Sequence, residues 1–154
     1  MKIILLITIL LLFFGCSNTT NVSKNAPLVN LVVQQDKYSL IFKHQFYNNF
    51  ETYDKNLAKF IVKTNLSFNT SNALSSNGNN NLNIIKGTVD FKIFNKINSK
   101  IIKTGSISSS INTGSVSSLY SVDENNNFAK ERIAKYLASK LYRKILLNTY
   151  TSEN

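Results

Sequence analysis

Apolar residues fall along the chain in three patterns: one unbroken run, several alternating stretches and a closing helical stripe. Residues 3–14 are apolar apart from Thr8 and leave no polar face, unlike a helix at the surface of a core. Residues 28–35 alternate, with Val29, Leu31 and Val33 against Asn30, Val32 and Gln34, and predict a first strand. In residues 36–51 a helix capped by Asp36 would gather Tyr38, Ile41, Phe42, Gln45, Phe46, Asn49 and Phe50 on one face. A strand there would align Tyr38, Leu40, Phe42, His44 and Phe46. The helical spacing carries through to Phe50 and is preferred. Residues 56–70 predict a strand with Phe60, Val62, Leu66 and Phe68 on one side.

After a loop over residues 71–81, residues 83–95 set Ile85, Val89, Phe91 and Ile93 against Lys86, Thr88, Asp90 and Lys92. Gly87 falls in the apolar register, where it marks a bulge or a close backbone approach. Residues 96–100 form a turn with Asn98 and Ser99 at its centre, and residues 101–112 return as a strand carrying Gly105, Ile107 and Ile111 on one face. A second loop spans residues 113–127. Residues 128–147 form the strongest element, a helix with Ile133, Ala134, Leu137, Ala138, Leu141, Ile145 and Leu146 in one stripe. The order predicts an α+β, β-α-β-β-β-α two-layer sandwich: a four-stranded mixed sheet covered on one face by two helices.

The opening run changes this picture, because it stands outside the sandwich. Lys2, eleven apolar residues interrupted once by Thr8 and a small residue before Cys16 make a secretory signal over residues 1–15. The run falls short of the ~20 residues of a comfortable bilayer span. Cys16 is the single cysteine, so it has no internal disulfide partner. The segment resembles a bacterial lipoprotein signal, which implies that Cys16 becomes the new N-terminus and carries lipid on its sulfur. Phe13 and Phe14 stand where that pattern has a leucine and a small residue, and an uncleaved anchor is the other reading of the run. Residues 16–27 read as a polar tether and residues 28–150 as one domain.

The formal charge of +10 suggests polyanionic partners, but only two of the eighteen basic residues are arginines, the side chain suited to bidentate phosphate recognition. Export argues against nucleic acid, which is not expected as a partner. Catalytic chemistry is not expected either. His44 is the one histidine, no set of His, Cys, Asp or Glu is spaced for a metal, and the serines at 106–110 have no neighbouring base. No glycine-rich phosphate loop occurs, so no cofactor is implied.

The signal, the small β-α-β-β-β-α domain and the closing residues Gly114, Tyr120, Phe128-Ala129, Ala134, Leu137-Ala138 and Ile145-Leu146 together resemble LptE, the lipopolysaccharide-assembly lipoprotein, in its divergent alphaproteobacterial form. That resemblance implies a lipoprotein on the periplasmic face of the outer membrane, with Ser17 after the cysteine fitting outer-membrane sorting. It implies an LptD-type β-barrel as partner, which the protein scaffolds and plugs while assisting lipopolysaccharide delivery. The hairpin lysines Lys86, Lys92, Lys96, Lys100 and Lys103 are then candidates to meet lipopolysaccharide phosphates, Lys96 and Lys100 first. The competing reading is a stand-alone lipoprotein that binds a lipid or small ligand in an apolar cavity between sheet and helices.

Overall fold

The computed structural model describes residues 29–50, 55–74, 81–113 and 119–150. The signal segment, Cys16, the tether, residues 75–80 of the first predicted loop and residues 114–118 of the second lie outside the described residues. Strand β1 (Val29–Val32) leads into helix α1 (Lys37–Tyr47), and a short 3-10 turn at Lys55–Leu57 precedes β2 (Phe60–Leu74). Strands β3 (Asn81–Asn95) and β4 (Ile101–Thr113) follow, and helix α2 (Leu119–Tyr150) closes the fold. The sheet order is β1-β2-β3-β4, with β1 parallel to β2 and the other neighbours antiparallel. The α+β sandwich expected from the pattern is the fold observed.

Alternation fixes which face is covered. Val29, Leu31, Val62, Leu66, Ile85, Val89, Phe91, Ile93 and Ile107 point to the helices and are buried. Helix α2 answers with Ala129, Ile133, Ala134, Leu137, Ala138, Leu141 and Ile145, and α1 with Phe42 and Phe46. Gly87 lies where α2 comes closest: a Cβ there would collide with Ile133 Cγ2 and stand 3.3 Å from Leu137 Cδ1. The glycine therefore marks a close approach; the sheet's irregularity falls elsewhere, at Ile93/Phe94.

Helix α1 is held at both ends. The Asp36 carboxylate accepts the amides of Tyr38 and Ser39, each at 3.0 Å, as the N-cap reading required. Beyond the C-terminus, Asn49 Nδ2 donates to the Gln45 carbonyl at 2.7 Å. Phe50 and Tyr142 meet edge to face at 4.8 Å, which packs the residues after α1 against the second helix. The Tyr38 hydroxyl donates to Asn127 Oδ1 at 2.7 Å, and Lys37 pairs with Glu131 at 2.8 Å. The hydrogen bond and charge of Glu131 raise the Lys37 pKa, and those of Lys37 lower the Glu131 pKa.

Several boundaries differ from the sequence reading. Strand β2 begins at Phe60, because residues 55–57 wind into the 3-10 turn, and it runs on to Leu74. Strand β3 begins at Asn81, so cross-strand pairing claims both ends of the predicted 71–81 loop. Most of the predicted 113–127 loop is helix, since α2 starts at Leu119. Ser121, Asp123, Asn125, Asn126 and Asn127 are modest helix formers, but the Tyr38–Asn127 bond ties this stretch to α1.

Candidate functional site

The β3–β4 hairpin is stapled locally. In its turn Asn95 Oδ1 accepts the Ile97 amide at 2.8 Å, and Asn98 Oδ1 accepts the Lys100 amide at 3.1 Å. Ser99 takes the left-handed conformation, with φ 55°. The Lys96 amide donates to the Lys59 carbonyl at 3.0 Å, which fastens the turn to the entry of β2.

The five candidate lysines do not form one cluster. Lys86 and Lys92 stand on the uncovered face of β3, six residues apart, or about 20 Å along the strand. Lys96 and Lys100 lie in the turn, and Lys96 Nζ donates to the Asn56 carbonyl at 3.4 Å. Lys103 pairs with buried Ile93 and so belongs to the helix-side register of β4, at its exposed end. Sequence reading of the hairpin missed Lys63, which β2 places directly opposite Lys92. Like charges in register repel, and Lys63 Nζ instead lies 5.2 Å from the Phe94 ring centroid. A cross-strand neighbour depends on register and is not legible in either strand alone.

The turn end is also apolar. Ile97 is 94% exposed, and Leu57, Ile101 and Ile102 are each about half exposed or more. Four aliphatic side chains therefore sit at the end of the sheet that also carries Lys59, Lys96 and Lys100.

A second surface runs along the free edge of β4. Lys140 Nζ donates to the Ser108 carbonyl at 3.1 Å and Lys144 Nζ to the Ser106 carbonyl at 3.4 Å. These lysines blunt half of an edge that would otherwise invite strand pairing. The opposite edge receives similar cover, where the Leu31 amide donates to the Tyr47 hydroxyl at 2.8 Å. Further along β4 the same i, i+4 row of α2 presents Tyr136, Arg132 and Phe128, which border open depressions of about 170 and 350 Å³. The Arg132 guanidinium lies 5.8 Å from the Phe128 ring centroid. The four-residue spacing of these side chains was the available sequence signal for this groove.

His44 is exposed on α1, with Nδ1 3.3 Å from Asn48 Nδ2. Among the described residues no group of three or more His, Cys, Asp or Glu converges as a metal site. No described helix is long and apolar enough to cross a membrane.

No family model matches the chain, and no curated protein matches its sequence. Solved structures do match. A lipoprotein from Caulobacter crescentus superposes with a TM-score of 0.62 at 16% identity, over 80% of this chain and 91% of that one. The rare lipoprotein B from Shewanella oneidensis gives 0.63 at 10% identity, over 82% and 99%. A minor lipoprotein from Acinetobacter baumannii gives 0.61 at 13% identity, over 81% and 94%. The chain thus has a fold found in bacterial lipoproteins, and the similarity spans nearly all of each of them.

Proposed function

We propose that this protein is an outer-membrane lipoprotein, lipidated at Cys16, that scaffolds and plugs an LptD-type β-barrel and assists lipopolysaccharide delivery. The observation that carries the reading is the union of a signal over residues 1–15, followed at once by Cys16, with a domain whose fold recurs in solved lipoproteins. A tethered domain is suited to act by contact, and the uncovered sheet face is the contact surface in this reading. Lys63 and Lys92, in register on the uncovered face, are the cations offered to lipopolysaccharide phosphates. Each acts there as a point charge, weak alone where solvated.

The stand-alone ligand-binding reading receives less support. Buried side chains of the sheet and both helices pack into one cluster, and the two depressions border β4 and are open to the surface. The test is affinity purification of a C-terminally tagged full chain from detergent-solubilised membranes. Stoichiometric recovery of an LptD-type barrel is the expected result. Recovery as a free monomer from cells with normal lipopolysaccharide export would refute the scaffold role.

A further inference from the structure

The chain enters the domain at the same end of the sheet as the exposed turn. Val29, the first residue of β1, pairs with Phe60, and Phe60 pairs with Asn95, the residue before the turn. Cys16 is thirteen residues before Val29 in sequence, a reach of at most about 45 Å. At this end Ile97 is 94% exposed, Leu57 62%, Ile101 50% and Ile102 49%. Lys59, Lys96 and Lys100 stand among them. The described carboxylates are elsewhere: Asp36 beyond the far end of β1, Asp90 within β3, and Asp123, Glu124 and Glu131 in the first half of α2.

Aliphatic side chains held in water beside lysines fit an interface whose anionic headgroups lie over hydrocarbon. The Asn95 and Asn98 side-chain bonds pre-shape the turn, so little conformational freedom remains to be lost on docking. We propose that the β3–β4 turn is a membrane-docking tip, in which Ile97 inserts among the lipids of an anionic phospholipid leaflet while Lys59, Lys96 and Lys100 meet their phosphates. Tip and lipidated Cys16 then engage the same leaflet as two points of attachment, which sets the domain's orientation at the membrane. Each basic residue near an anionic leaflet raises affinity by roughly fivefold, so the turn lysines matter to docking even though each is solvated. The orientation rests on the lipidation proposed above; the insertion of the tip does not.

The chain has no tryptophan, which makes a site-specific probe available. Ile97→Trp places a single indole at the exposed tip, and Tyr120→Trp places one at the start of α2, at the opposite end of the sheet. Each full-length variant is reconstituted in vesicles of phosphatidylethanolamine and phosphatidylglycerol containing brominated acyl chains. The expected result is blue-shifted, strongly quenched emission for Ile97→Trp and neither effect for Tyr120→Trp. Adding Lys96→Glu and Lys100→Glu to Ile97→Trp is expected to lower vesicle affinity by more than tenfold and remove the quenching. Water-like, unquenched emission from Ile97→Trp overturns the proposal, as does equal quenching of both probes. Quenching that appears only after lipopolysaccharide is added also overturns it, by assigning the tip to that ligand. Intact-mass measurement of the same samples separates the two claims: a quenched tip on an unacylated chain upholds docking and refutes the lipid anchor.

Discussion

The covered and open faces of the sheet are built from the same strands, yet they do different work. On β3, Ile85, Val89, Phe91 and Ile93 vanish under the helices, while Lys86, Asp90 and Lys92 remain in water. The covered face is close-packed to the point that Gly87 has no room for a Cβ. The open face places Lys63 opposite Lys92, an arrangement that folding alone does not favour. The covered face therefore carries the stability, and the open face with its turn is left available for contact.

The largest test of that division is Leu137→Ala. Leu137 is fully buried beneath the sheet, and its truncation is expected to destabilise the domain by about 2–5 kcal/mol in chemical denaturation. Gly87→Ala comes next. It adds one methyl group against Ile133 and Leu137 and is expected to cost about 1–3 kcal/mol, read as a lowered denaturant midpoint. A neutral result at both positions would break the comparison.

Asp36→Ala removes the cap of α1 and is expected to cost about 1 kcal/mol at neutral pH. Slight burial pushes the Asp36 pKa up, but hydrogen bonds from Ser39 and Tyr38 outweigh it and leave the carboxyl below its ordinary value. Its stabilisation is therefore complete above the unfolded pKa and is lost as pH falls through the lower folded value. Thermal melts of the two proteins should differ by a constant amount above about pH 5 and converge as pH falls from about 4 through the lower folded value.

The smallest effect belongs to the open face. Lys92→Thr relieves the repulsion with Lys63 and is expected to raise stability by no more than about 0.5 kcal/mol. A large loss there would assign the open face a structural role.

Much of this division was legible in the sequence, and its gaps have physical causes. Alternation placed Val62, Leu66, Ile85, Val89, Phe91, Ile93 and Ile107 on one face, and the 3.6-residue stripe placed Ile133 through Ile145 against it. Asp36 was readable as a cap because side-chain capping is a local event. The first turns of α2 were not readable, because a contact from distant Tyr38 ties down residues with modest helix propensity. The candidate surface was less legible still. Whether Lys63 faces Lys92 depends on strand register, which no single stretch contains. Leu57 and Ile97 read as isolated apolar residues until the 3-10 turn and the hairpin bring them to one end of the sheet.

We propose that the protein supports a barrel partner at the outer membrane. Conditional depletion tests it most directly, with surface lipopolysaccharide and the folded LptD-type barrel quantified as the protein disappears. The account predicts that both fall together and are restored by the wild-type chain but not by Cys16→Ser. Unchanged levels of barrel and surface lipopolysaccharide in fully depleted cells would contradict it.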